Sequence, residues 1–296
     1  MKKNKTTFVM LLFFFMGLLV LLYPSLSNLY NLKFQSEAIV DYEAILKEFD
    51  AQKYDDEFKK AEEYNTNLSK LKRPFYEYKK IAGYDEVLNV GDNGMMGYLS
   101  ISKIGVELPI YHGTTDEVLN KAVGHLEGTS LPIGGIGTHS ALSAHRGLPS
   151  SKLFTDLDKL EKGDIFTITI LDRLLTYQID QIIIVEPREI EQLEIDSNLD
   201  YVTLVTCTPY GINTHRMLVR GVRIENAVKP KYITTEAFKI SNLIVTPMVA
   251  LPIIFISLLA IALKPIKKNK NWKDKYIYPN KVKQKAGGNA YEKYKS

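Results

Sequence analysis

Cys207 is the only cysteine in a chain of 296 residues. It lies near the end of the β-branched run Tyr201-Val-Thr-Leu-Val-Thr-Cys-Thr-Pro-Tyr210, and Thr214-His-Arg216 opens the next apolar run. A strand end that delivers a thiol to a turn beside a cation favours the thiolate, the nucleophilic form. A second segment, Thr138-His-Ser-Ala-Leu-Ser-Ala-His-Arg-Gly147, brings His145 to the point where a strand-like run opens into a Gly/Pro loop. Thiol, imidazole and guanidinium together can attack a carbonyl carbon, move a proton and steady an oxyanion. A single cysteine closes no internal disulfide. In an extracellular domain it is a reactive thiol or an intermolecular partner.

Residue type leaves the partners of Cys207 open. The five histidines are His112, His125, His139, His145 and His215. The loop after His145 favours it as acid/base. His215 is the rival, but strand alternation would turn it away from Arg216. Arg216 offers a planar fork of donors. Arg220 shares its face by period two, and Arg146 adjoins His145, so either could take its place. No metal site is expected, because the histidines lack i, i+4 pairing and there is one thiolate. Gly134-Gly-Ile-Gly137 lacks the Lys-Ser/Thr of a phosphate loop.

The elements that must hold these groups are short. Gly97–Ile101, Val106–Tyr111, Thr138–Ala144, Asp164–Leu171, Leu174–Glu186, Val202–Thr206 and Met217–Ile224 read as strands. Thr115–Val123 and Leu153–Leu160 read as short helices. That pattern predicts an all-β-dominated domain, a closed or nearly closed barrel over residues 95–228. Before it, residues 28–94 carry apolar positions at helical spacing (Ile39, Tyr42, Ile45, Leu46, Phe49; then Tyr54, Phe58, Ala61, Tyr64, Leu68) until Pro74 breaks the pattern. This region is read as a stalk or as a cover over the site.

Apolar segments bracket the domain. One lies within residues 1–27 behind Lys2, Lys3 and Lys5; the other spans 243–263, after a linker at 229–242. Both suit membrane helices. A cleaved leader is the alternative for the first, with Ser25-Leu-Ser27 its weak processing site. The tail, 264–296, holds 11 Lys against Asp274 and Glu292, so the middle of the chain is net acidic although the whole is +4. Positive ends on the inside place both termini in the cytoplasm and the domain outside. The lysines then meet anionic lipid, and no nucleic-acid partner is implied.

These residues resemble the sortases, and among them class C, the pilus-polymerising branch. The signature Thr203-Leu-Val-Thr-Cys207 continues as Thr208-Pro-Tyr-Gly-Ile-Asn-Thr-His-Arg216, and the histidine block runs Gly124-His-Leu-Glu-Gly-Thr-Ser-Leu-Pro132 and Thr138 to Pro149. The resemblance implies an eight-stranded sortase barrel with Cys207 as nucleophile, His145 as acid/base and Arg216 as oxyanion stabiliser. Thr206 would be a substrate or supporting contact. It further implies a Leu-Pro-x-Thr-Gly-like sorting signal cleaved between Thr and Gly, a pilin lysine as acceptor, and no cofactor. Class C enzymes often carry an Asp-Pro-aromatic lid. Here the counterpart is Arg73-Pro74-Phe75, with a cation where the acid would be, and Asp85 is a substitute anchor for Arg216. A wall-anchoring sortase using a peptidoglycan amine is the alternative within the family, and a non-catalytic adhesion barrel the alternative outside it. A papain-like order of Cys before His is not met, and the Gln-Ala-Cys context of a caspase is absent.

Overall fold

The computed structural model describes residues 2–226 and Ile254, with side chains from Val9. The expected linker, second span and tail lie, Ile254 apart, outside the described residues. The chain divides into two compact units, Leu11–Lys239 and a second formed by Met1–Met10 with Ile240–Ser296; the barrel belongs to the first.

Eight strands form the barrel: β1 (Met95–Ile101), β2 (Val106–His112), β3 (Val123–His125), β4 (Thr138–Ser143), β5 (Ile165–Ile170), β6 (Arg173–Val185), β7 (Asp200–Thr208) and β8 (His215–Ile224). Their order is β1-β2-β3-β4-β7-β8-β6-β5, and the antiparallel β1–β5 pair closes the ring. Two pairs are parallel, β2 with β3 and β4 with β7. Closure removes the free edges that an open sheet would present. Leu99, Ile110, Leu142, Phe166, Ile168 and Leu204 fill the interior. Gly97 marks the seam, where a Cβ would come within 2.1 Å of the Thr169 carbonyl oxygen.

Three local expectations change. The helix expected at Thr115–Val123 shrinks to one turn, Asp116–Leu119, and its last residue starts β3. A three-residue strand shows too little periodicity to be read; its partners β2 and β4 make it a strand. Leu153–Leu160 is turns around a 3-10 segment, Leu157–Lys159. The region before the barrel does not stand free as a stalk. α1 (Lys2–Leu46) runs unbroken through Pro24 and packs Ile39, Tyr42 and Leu46 against the barrel. α2 (Ala51–Ser69), capped by Asp50, buries Phe58, Ala61, Tyr64 and Leu68. The Asn65 amide accepts from Leu131 N–H at 2.7 Å and donates to its carbonyl at 3.2 Å, as a neighbouring strand would.

Two buried polar groups lock this packing. Tyr42 is 3% exposed; its hydroxyl donates to Met96 O at 2.7 Å and accepts from Leu171 N–H at 2.9 Å. His125 is fully enclosed. Its Nε2 lies 2.8 Å from Ser130 O and its Nδ1 2.9 Å from the Tyr84 hydroxyl. Donation from Nε2–H leaves Nδ1 to accept from tyrosine, so the ring is neutral. Burial holds its pKa down to about 4.

Tyr42→Phe strands a carbonyl and an N–H in the core. It should lower unfolding free energy by about 1–3 kcal/mol, measured by denaturant titration of the full chain in detergent. His125 gives a pH signature. Below pH 6.5 the unfolded chain binds a proton that the fold refuses until about pH 4. Stability should therefore fall as pH drops through that window, by roughly 3 kcal/mol. His139, also depressed by burial, acts with the same sign. Thermal melts from pH 7 to 4 check this, and a His125→Gln chain should show a shallower slope.

Candidate active site

Strand register assembles the site. In the antiparallel β7–β8 pair, Cys207 stands opposite Arg216. In the parallel β4–β7 pair the register reaches Ser143 opposite Val205, and Ala144 N–H still donates to Val205 O at 3.2 Å. Continued two residues past the end of β4, that register would bring His145 level with Cys207, and the Thr206 hydroxyl bond to Ala144 O keeps the two segments together up to that point. Cys207 and Arg216 thus face each other across two strands, and His145 follows two residues after the end of the third, β4. Cβ atoms of directly opposed residues are about 4.5–5.5 Å apart.

Alternation fixes the face. Val202, Leu204, Met217 and Val219 point into the core, so Thr203, Val205, Cys207, Arg216 and Leu218 line the outer surface. Every residue of β7 is buried except Cys207, which is half-buried. The outer face is covered as well, and the thiol lies at the open end of that cover. Ala141, Val185, Leu193, Val205 and Leu218 form its apolar floor and wall, joined by Phe75, Leu126 and Ile183.

The rival groups have other partners. Arg220 donates to both Asp180 oxygens, at 3.1 and 2.7 Å, and lies 4.2 Å over the Tyr201 ring. Asp180 sits at a register shift in β6, a bulge that re-aims its side chain. Arg146 bonds Asp158 at 2.5 Å and is almost wholly buried. The Arg216 guanidinium meets only carbonyls among the described residues: His215 O at 3.1 Å and Asn213 O at 3.4 Å. Asn213, with φ of +62°, turns its backbone to do this. Asp85 is not a partner of Arg216. Exposed His215 lies on the other face from Arg216, its Nδ1 2.9 Å from the Thr214 hydroxyl. His112 and His139 bind backbone carbonyls, of Gly94 and Val87 and of Glu194 respectively. That leaves His145, half-buried just past the end of β4, as the histidine whose ring has no hydrogen-bond partner among the described residues.

Thr206 departs from its expected place as a substrate contact. It is 1% exposed on the inner face, and its hydroxyl donates to Ala144 O at 2.8 Å. It ties the backbone before Cys207 to the backbone before His145. Pro74 is the first residue of a helical turn, α3 (Pro74–Glu77), and Phe75 inserts into the outer-face cluster. Gly128, with φ of +86°, admits the Phe75 backbone where a Cβ would come within 2.7 Å of its Cα. Arg73 points away, 5.0 Å over the Tyr76 ring. The ion pairs of Arg146 and Arg220 and the Gly128 seat carried no sequence signal, because each joins residues distant along the chain.

The sortase domain family matches residues 99–224. Among curated proteins, sortase D of Bacillus subtilis is 30% identical over 131 residues, which is 43% of this chain and 63% of that protein. The match to sortase A of Bacillus anthracis is 28% identical and spans 43% of this chain and 59% of that one. The chain thus spans about 60% of the length of these curated relatives. Solved structures match more fully. Sortase C1 of Streptococcus agalactiae is 48% identical, covering 64% of this chain and 99% of that one, with a TM-score of 0.59. Sortase C of Streptococcus pneumoniae is 42% identical, with 66% and 100% covered and a TM-score of 0.58. Sortase C of Clostridium perfringens is 41% identical, with 64% and 99% covered and a TM-score of 0.54. A closed eight-stranded barrel, a Cys–Arg cross-strand pair with a histidine just past the end of the neighbouring strand, and these likenesses agree: the chain belongs to the sortase family, and its solved structural neighbours are sortases of class C.

Proposed function

We propose that this protein is a membrane-anchored cysteine transpeptidase. It cleaves a Leu-Pro-x-Thr-Gly-like signal between Thr and Gly and joins the threonine to a lysine side chain of a pilin subunit. The observation that carries this reading is the pairing of Cys207 with Arg216 across β7 and β8, with His145 just past the end of the neighbouring β4 and Arg216 free of any described carboxylate. Class C neighbours support the pilin substrate. One is described as a pilus-related sortase of Group B Streptococcus, and the pneumococcal one is described in terms of pilin substrate specificity.

The Cys207 thiolate attacks the threonine carbonyl carbon. Negative charge moves to the oxygen, where the Arg216 fork donates two hydrogen bonds as that charge develops. The C–N bond breaks as His145 hands a proton to the departing glycine amine, leaving a thioester. An incoming lysine amine then attacks the thioester carbon, His145 takes its proton, and the thiolate leaves. Atoms and charge balance with no cofactor.

The apolar outer-face groove would hold the signal's Leu-Pro portion beside Val205 and Leu218, and Phe75 now occupies that floor. Phe75 is therefore a lid held by packing and by the Gly128 seat, without an ion pair to Arg216. The apolar run from Val9, which lies unburied along the first part of α1, would anchor the enzyme in a bilayer. A second span at 243–263 and cytoplasmic termini complete the proposed topology.

The full chain with a pilin substrate should yield Thr–Lys linkages by mass spectrometry, and Cys207→Ala should yield none. Cys-dependent cleavage without linkages would point instead to a hydrolase or to a wall-anchoring enzyme lacking its acceptor. Arg216→Lys should lower kcat about 10²–10³-fold with little change in KM, because a point charge replaces a planar fork aimed at the transition state. For the lid, Phe75→Ala should raise the rate at which an alkylating reagent modifies Cys207. An unchanged rate would remove the basis for a lid at Phe75.

A further inference from the structure

Two amide side chains on α1 grip the loop after His145, and a third, Gln35, bonds Lys121 and reaches the same loop. Asn28 accepts from Lys152 N–H at 3.0 Å through Oδ1. The Asn31 side chain donates to Ser150 O at 2.8 Å. Gln35 donates to Lys121 O at 2.7 Å and lies 3.4 Å from the Ser151 hydroxyl; both side chains are 2% exposed. Positions 28, 31 and 35 fall on one helix face. The loop they grip is itself tied to the site, because Phe154 N–H donates to His145 O at 3.1 Å. The exposed ring of Tyr210, three residues past Cys207, also lies against Gly147.

Helix geometry sets the height of this contact. About 20 residues from Thr6 fill a hydrocarbon core of about 30 Å, so its outer edge falls near Ser25. Tyr23 and Tyr30, both exposed, flank that edge as interfacial aromatics do. At 1.5 Å per residue, Asn28 and Asn31 stand only about 5–9 Å beyond it, inside the headgroup layer. Ser150 is five residues from His145, a reach of at most about 18 Å. β4 and β7 run in parallel towards this same end of the barrel, and the β3–β4 loop around Ile136 lies at the other. A tether of free chain would leave height and orientation open; three amide bonds to a continuous helix do not.

We infer that the Asn28–Asn31–Gln35 stripe docks the catalytic mouth of the barrel against the lipid headgroup layer, so that the site works on polypeptides held in the same bilayer. This rests on the proposed function for the substrate and for the membrane span of α1. The surface that meets lipid is formed by the exposed Pro149 and Lys152 of this loop with the neighbouring face of α1. A signal reaching the thiol across about 25 Å needs some seven extended residues between its cleavage site and its own membrane segment.

The test uses the full chain in phosphatidylcholine–phosphatidylglycerol vesicles, with Cys207→Ser removing the native thiol. A donor dye is placed at Tyr210→Cys or at Ile136→Cys, and an acceptor on the lipid headgroups. Flotation with the vesicles comes first: protein that does not float overturns the membrane anchor, and this inference with it. In floating protein the dye at 210 should lie within about 20 Å of the headgroup plane, and the dye at 136 at least about 15 Å farther. Equal distances, or the reverse order, with flotation intact would overturn the docking alone. Inserting four alanines between Ser27 and Asn28 should raise both dyes by about 6 Å, the length of the added helix. Distances unmoved by the insertion would mean a flexible tether. Asn28→Ala/Asn31→Ala/Gln35→Ala should erase the difference between the two dyes while retaining a cooperative melt. If that variant fails to melt cooperatively, the alanine insertion, which leaves every contact in place, decides the question.

Discussion

Everything at the site depends on β7 being paired on both sides at once. Its antiparallel ladder with β8 places Arg216 opposite Cys207, and its parallel ladder with β4 ends two residues before His145 on the other flank. A slip of one residue in either ladder would turn the thiol into the core and bring Thr206 to the surface. The register is held because the inner face of β7 is packed with Val202 and Leu204 and the outer face with Val205. The Thr206 hydroxyl pins the β4 side at Ala144. A strand buried on both faces has no alternative register of comparable energy. The alignment of Cys207 with Arg216 is therefore a by-product of core packing.

The same double burial explains what surrounds the site. An outer strand face covered in apolar side chains is unstable against water unless something lies on it. In this chain Phe75 and the β6–β7 connection do so. Any apolar segment laid there in place of Phe75 would exchange one cover for another without a large net loss of buried area. Arg73 faces the Tyr76 ring. Phe75 is then held by shape, at Gly128, and Arg216 has no carboxylate partner among the described residues.

Charge is handled economically around the thiol. Two of the three arginines close to the site have carboxylate partners, Arg146 with Asp158 and Arg220 with Asp180. Only Arg216 is left to backbone carbonyls, which hold the guanidinium in place without neutralising it. The buried histidines are likewise consumed by backbone and hydroxyl partners, and burial keeps His125 neutral at physiological pH. Among the three arginines nearest Cys207, Arg216 is the one that the described residues leave without a carboxylate.

The sequence by itself determined the chemistry and most of the strands. A lone thiol at a strand end, an imidazole at a loop mouth and long motif matches need only local order to be read. Seven of the eight strands followed from apolar alternation over five or more residues. What the tertiary structure alone decided were the facts that depend on partners far along the chain. β3 is a strand only because β2 and β4 flank it. Arg216 is distinguished from Arg146 and Arg220 by carboxylates at positions 158 and 180, and no spacing rule links those residues. Thr206 turned inward because period two fixes its face once Cys207 faces out. Residues 28–94, legible as helices, could be stalk or cover until Tyr42, Asn65 and Phe75 met the barrel. Local pattern encodes the elements; which side chains remain free to act is settled only when distant elements have claimed the rest.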